Sequence, residues 1–204
     1  NLRTSFDKAN KIIQRIGKSG NSIYYRGHSD VNYVLLPSVM RLNSWYEHEC
    51  DLYNETVIEC PASFKNCFTH LDYLVEMQHY GLPTRLLDIT KNPLVALYFA
   101  CCDNFNSQGE LIVFDVKTDE IKYPKSDTVS ILASLPLFKS NMKKNLLTWA
   151  QDKTLNENDF NRKAIRLLHE VKLEKPAFRD EIVKDDILSC LLYTSPSPRD
   201  YAAS

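Results

Sequence analysis

Two short segments gather the side chains best suited to chemistry. The first is Tyr25-Arg26-Gly27-His28, at the end of a run from Ser22 to Gly27 rich in aromatic and β-branched residues. Such a run reads as a short strand. Arg26 offers a planar fork of donors that matches a carboxylate or a phosphate. Gly27 has no Cβ, so a second backbone or a ligand can approach closely. The second segment is Gln78-His79-Tyr80-Gly81-Leu82-Pro83-Thr84-Arg85-Leu86-Leu87-Asp88. It sets an amide and an imidazole at a helix end, then a rigid turn, then Thr, Arg and Asp. His79 is the group suited to proton transfer near neutrality, with Asp88 orienting a neighbour. Together the segments are expected to form one cleft for a small anionic ligand, a nucleotide above all. In that reading Tyr25, Arg26, Gly27, His28, Gln78, Tyr80, Thr84 and Arg85 bind the ligand, and His79 and Asp88 carry catalysis. No cofactor follows from these residues.

Each residue also has a scaffolding role to set beside the chemical one. Arg26 could be a buried cation paired with Asp88 or Asp30. His79 could complement the end carbonyls and dipole of its helix. Arg85 and Asp88 are expected to form an ion pair that fixes the turn, and Gln78 to staple it. His48-x-Cys50 and Cys67-x-x-His70 have the look of zinc ligands, but zinc needs four that converge. Cys50 and Cys67 fall instead on apolar stripes and read as core thiols, so no metal is expected.

The elements that must hold these segments are well punctuated. Residues 4–16 carry Phe6, Ala9, Ile12, Ile13 and Ile16 on one helical face. Asn43 to Cys60 reads as a helix with Tyr46, Cys50, Tyr53 and Val57 on its stripe, stopped by Pro61. Thr69 to Tyr80 is a helix with Thr69 and Asp72 placed as a capping box, Gly81 at the left-handed C′ position and Pro83 beyond it. Asn92 caps the next helix and Pro93 opens it. From Leu94 to Cys102 that helix is apolar all round, which predicts a central, buried element with inert Cys101 and Cys102. Leu111 to Val116 is a strand. Further helices are expected over Thr128 to Leu135, Asn141 to Gln151 and Asp159 to Val171. The basic residues Lys143, Lys144, Arg162, Lys163 and Arg166 read as solvated helix faces. The fold class is α+β, mostly helical with a small β-sheet. The parts are an N-terminal helix (1–21), a core (22–116), a helical C-terminal part of the same domain (117–189) and a tail (190–204).

Composition narrows the class further. The chain has 204 residues, 44% of them hydrophobic and 25% charged, with a formal net charge of -1. That is ordinary for one globular domain and argues against a nucleic-acid coat or a polybasic membrane-surface protein. The longest apolar run, Pro93 to Cys102, is about half the roughly 20 residues a bilayer requires. The six cysteines have no paired spacing, which fits reduced thiols in a cytoplasm. The chain begins Asn1-Leu2-Arg3 without Met, so it is expected to start inside a longer or processed protein.

The motif residues resemble the FRG domain family, named for Phe/Tyr-Arg-Gly. The matching positions are Tyr25-Arg26-Gly27, Leu36-Pro37-Ser38, Arg41, Gln78-His79-Tyr80-Gly81, Thr84-Arg85-Leu86-Leu87-Asp88, and Asn92-Pro93 through Ala96-Leu97-Tyr98-Phe99-Ala100. The resemblance is good from residue 22 to about 116 and looser to Leu188. It implies a protein of bacterial or phage origin whose reaction the family does not specify. Family members often carry an Arg-Ile…Gln-x-Gly-Ala-Phe segment just beyond the point where this chain enters its tail, which implies a truncated site. Tyr-Arg-Gly at an early strand end is also similar to the first motif of Arg-Ser-Glu ADP-ribosyltransferases, although no Glu-x-Glu strand follows. Two functions are therefore expected to compete. One is nucleotide or NAD handling with ADP-ribosyltransferase-like chemistry. The other is a non-catalytic module that senses a protein or nucleic-acid partner for a fused effector domain.

Cys190-Leu191-Leu192-Tyr193-Thr194-Ser195-Pro196-Ser197-Pro198-Arg199-Asp200 resembles a translated sequencing adapter. It has no periodicity, and its prolines are spaced by two. Residues after Ser189 are expected to be unpacked, with the natural sequence diverging there.

Overall fold

In the computed structural model, the described residues are Lys11 and 20–192, with side chains up to Leu188. The helix expected over residues 4–16 lies outside them apart from Lys11, as does the tail from Tyr193 onward. The order of elements is β1 (Ser22–His28), α1 (Asn43–Glu47), α2 (Glu49–Glu59), α3 (His70–His79), α4 (Pro93–Cys101), β2 (Glu110–Val116), α5 (Asp127–Ser134), α6 (Ser140–Gln151), α7 (Glu157–Lys163), α8 (Ile165–Glu174) and α9 (Lys184–Leu192). Short 3₁₀ turns occur at Ser38–Met40, Thr118–Glu120 and Leu135–Leu137. This is the mostly helical α+β fold with a small sheet that the sequence predicts. Residues Cys190 to Leu192, assigned above to an unpacked tail, continue the backbone of α9.

The chain divides into two compact units. The smaller takes residues 1–34 and 88–122. Its centre is the antiparallel pair β1–β2, in which Tyr25 lies opposite Val113 and Gly27 opposite Leu111. On its other edge β1 makes one isolated bridge, Tyr25 to Thr90, through bonds of 2.7 and 2.8 Å. Helix α4 starts as the sequence predicts, with the Asn92 side chain accepting from Leu94 N–H and Pro93 in the first turn. It packs on the sheet through Ala96 and Ala100, one turn apart. Two glycines permit that contact. A Cβ on Gly27 would stand 1.8 Å from the Ala96 carbonyl oxygen, and one on Gly109 would stand 2.1 Å from that of Ala100. Close approach at Gly27 is thus an approach by the backbone of α4.

Helix α4 is not the buried element that its uniform apolarity predicts. Only Ala96 and Ala100 are buried, while Leu94, Val95, Tyr98 and Phe99 are exposed and Leu97 is half-buried. Cys101 and Cys102 are exposed as well. Apolarity on every side records no preferred face, and close packing on a two-stranded sheet needs only a stripe of small residues.

The larger unit takes residues 35–87 and 123–204. Its main core joins α5 through α9, with Ile131, Leu146, Phe160, Leu167 and Ile187 wholly enclosed. A second cluster brings Tyr53, Phe64, Leu74 and Met77 together with Ala133. Helix α3 has the predicted capping box, with Thr69 accepting from Asp72 N–H and Asp72 accepting from Thr69 N–H. Gly81 follows at φ +79. Two expected helices are each broken in two, at His48 and at Ala164, where the backbone leaves helical angles. Neither break carries a Pro or Gly to announce it.

Candidate functional site

Within the smaller unit, the end of β1 and the first turns of α4 border a cleft of about 360 Å³. Tyr25, Arg26, Gly27, Asp88, Ile89, Thr90, Val95, Ala96 and Phe99 line it. Ile89, Val95 and Phe99 supply exposed apolar walls. The Tyr25 side chain is buried, and that burial pushes its phenol pKa up. Arg26 is half-buried and held from two directions. Its Nη1 donates to the Asp88 carbonyl at 2.6 Å, and its Nε donates to His28 Nε2 at 3.2 Å. His28 itself is buried, with Nδ1 3.0 Å from Glu110 Oε1. A volume of a few hundred Å³, apolar walls and one fixed cation are the usual ingredients of a small-ligand site.

The turn after α3 belongs to the larger unit. Thr84 is its hub: its hydroxyl donates to Gln78 Oε1 and accepts from Leu86 N–H. Ser38 Oγ accepts from Thr84 N–H at 3.0 Å and donates to the Thr84 carbonyl at 3.2 Å. Gln78 therefore staples the turn, as its place in the sequence suggests. The expected partner of Arg85 was Asp88; the structure supplies Glu49. Arg85 Nε donates to Glu49 Oε1 at 2.9 Å, and Nη2 grips Oε2 of the same carboxylate. Lys143 Nζ also reaches Glu49 Oε2, at 2.6 Å, and lies 4.9 Å from the Tyr46 ring centroid. Lys143 is thus buried, which corrects its reading as part of a solvated face, whereas Lys144, Arg162, Lys163 and Arg166 are exposed. Burial pushes the Glu49 carboxyl up, but Arg85 and Lys143 outweigh it and leave the group below the ordinary carboxylate range.

Residues 21–109 match the family model of the FRG domain. The chain carries an FRG domain. No curated protein and no solved structure matches it. The FRG match runs from Asn21, before β1, to Gly109, just short of β2.

Each of the two units gathers some of the FRG signature residues. Tyr25, Arg26, Gly27 and Asp88 come together at the cleft of the smaller unit, with His28 beside Arg26. Gln78 and Thr84 meet in the turn of the larger unit, where Arg85 is drawn into its ion pair. His79 and Tyr80 are exposed at the end of α3, with their rings edge to face at 5.7 Å. Of the cysteines read as core thiols, Cys50 is buried with its Sγ on the Leu137 carbonyl, and Cys67 is half-buried against the second cluster. Sequence reasoning missed Glu49, Glu110 and Lys143, and the apolar walls Ile89, Val95 and Phe99. Glu110 becomes visible only with the strand register, which sets it opposite His28. Among the described residues, no group of three or more His, Cys, Asp and Glu is placed to hold a metal ion, and no helix is long and apolar enough to cross a membrane.

Proposed function

We propose that this FRG domain binds a nucleotide in the cleft between β1 and α4. The observation that carries the reading is the Arg26 guanidinium, anchored by Asp88 O and His28 at the edge of an apolar-walled pocket. A guanidinium with its plane fixed suits a phosphate. Ile89, Val95 and Phe99 suit a flat base, which gains by stacking on an aromatic ring. Asp88, on the same wall, is the carboxylate to accept from ribose hydroxyls. The reaction such a site would host is cleavage or transfer at NAD, with Asp88 as the lining carboxylate to replace first. Titration of the full chain with nucleoside mono- and diphosphates and NAD tests binding, and nicotinamide release tests turnover. Saturable binding that needs Arg26 supports the reading; no binding by any member of the panel ends it.

A second reading, a non-catalytic recognition module, has one observation in its favour. Leu94, Tyr98 and Phe99 project from α4 at 56%, 65% and 54% exposure, and contiguous apolar surface of this kind marks interaction sites. Nicotinamide release separates the two readings, since a recognition module leaves NAD intact.

A further inference from the structure

Behind the cleft, the smaller unit holds a polar chain that runs from one strand to the other. His28 closes β1, Glu110 opens β2, and the antiparallel register sets them face to face. Glu110 Oε1 is 3.0 Å from His28 Nδ1, and His28 Nε2 is 3.2 Å from Arg26 Nε. Arginine can only donate, so Nε2 must accept. The proton of the neutral ring then sits on Nδ1, where the Glu110 carboxylate accepts it. The three groups have one consistent set of roles, and it requires both the carboxylate and a neutral imidazole. The other ring facing His28 is Tyr33, edge to face at 6.0 Å, and the Tyr33 hydroxyl accepts from Asn104. It places no charge against the imidazole.

We infer that Glu110 and His28 are positioning residues that set the Arg26 guanidinium for anion capture, and that protonation of His28 removes this one of its anchors. Glu110 fixes the tautomer, the tautomer presents Nε2 as an acceptor, and that acceptor with the Asp88 carbonyl fixes the guanidinium plane. Adding a proton at Nε2 turns acceptor into donor and sets cation against cation, so this anchor fails. Capture by Arg26 is therefore strongest with neutral His28 and weakens in acid. The inference rests on the reading of the cleft as a nucleotide site, but the state of Arg26 is measurable without a ligand.

The experiment is ¹H–¹⁵N NMR of the full chain followed from about pH 8 to about pH 5, paired with ADP titrations. At the upper pH the expected result is a His28 ring protonated on Nδ1 and an Arg26 Nε–H that exchanges slowly with water. On acidification the Nδ1–H tautomer signature and the protection of Arg26 Nε–H, taken relative to free arginine at the same pH, should be lost together, and ADP affinity should fall about tenfold across the same interval. Glu110→Gln, a change on a partly exposed side chain, should mix the tautomers and speed Arg26 Nε–H exchange at every pH. His28→Phe, checked for folding by its melt, should abolish the acid dependence. An Nε2-protonated ring at high pH would overturn the inference, as would Arg26 Nε–H protection indifferent to pH and to Glu110→Gln. If the NMR signatures appear and ADP does not bind, positioning stands and the nucleotide reading falls.

Discussion

Glu49 Oε2 lies 2.6 Å from Lys143 Nζ, with both side chains almost wholly out of solvent at 4% and 1% exposure. Since Arg85 grips the same carboxylate, the cluster holds two cations and one anion. Burial and Arg85 both push the Lys143 ammonium pKa down, and Glu49 only partly restores it. Lys143 is the surplus charge. Glu49→Ala would leave two buried cations unneutralised and should cost about 3–5 kcal/mol, the range for breaking a buried pair. Lys143→Met leaves a bidentate one-to-one pair and should cost far less, under about 1.5 kcal/mol. Denaturant melts of the two variants check this; equal losses would show that Lys143 is as necessary as Glu49.

The same cluster sets an acid limit. The folded Glu49 carboxyl titrates below its unfolded value of about 4.3. Its contribution is fully present above that unfolded value and is lost as pH falls through the lower, folded one. Stability should therefore decline below about pH 4, and this component of the decline should be missing in Glu49→Gln. Thermal melts against pH for both proteins give the comparison.

Glycines at two places should respond differently to one added methyl. At Gly27 the new Cβ meets α4 backbone at 1.8 Å, and backbone cannot step aside as a flexible side chain can. Gly27→Ala should cost about 3 kcal/mol or more, as overpacking does at its upper end. At Gly81 nothing lies within 4 Å, and only the positive φ of +79 is strained. Gly81→Ala should cost about 1–2 kcal/mol. Melts that rank Gly81→Ala as the worse of the two would show that the α4 contact is not tight.

How far the sequence could be read depends on whether a feature is local. The α3 capping box, Gly81 and the Asn92-Pro93 start are each written in consecutive residues, and each is found. The breaks at His48 and Ala164 are not, because neither a Pro nor a Gly marks them. Glu49 was hidden for another reason. It is a carboxylate beside the apolar stripe of α2, and its partners stand 36 and 94 positions away, beyond any spacing rule. The exposure of α4 was illegible because an all-apolar helix has no moment to orient it. For the cleft, Tyr25-Arg26-Gly27 was legible as a motif, but Glu110 and Phe99 join it only through strand register and helix placement.

The nucleotide reading makes a graded prediction about the cleft. Arg26→Ala removes the fixed cation, and charge-assisted bonds are worth about 1.5–3 kcal/mol, so nucleotide affinity should fall about tenfold to a hundredfold. The melt should move by only about 1–2 kcal/mol, because Arg26 is half-buried and its anchors include a backbone carbonyl and an imidazole. Arg26→Lys should not rescue binding, since an ammonium cannot reproduce the fork held between Asp88 O and His28. Asp88→Ala keeps the anchoring carbonyl, which belongs to the backbone, and should therefore weaken binding less than Arg26→Ala. Phe99→Ala, on an exposed wall, should leave the melt unchanged and lower affinity several-fold through lost stacking. Titrations paired with melts across the four variants decide the matter. Lost stability with unchanged binding in Arg26→Ala would assign Arg26 to the scaffold and sink the site.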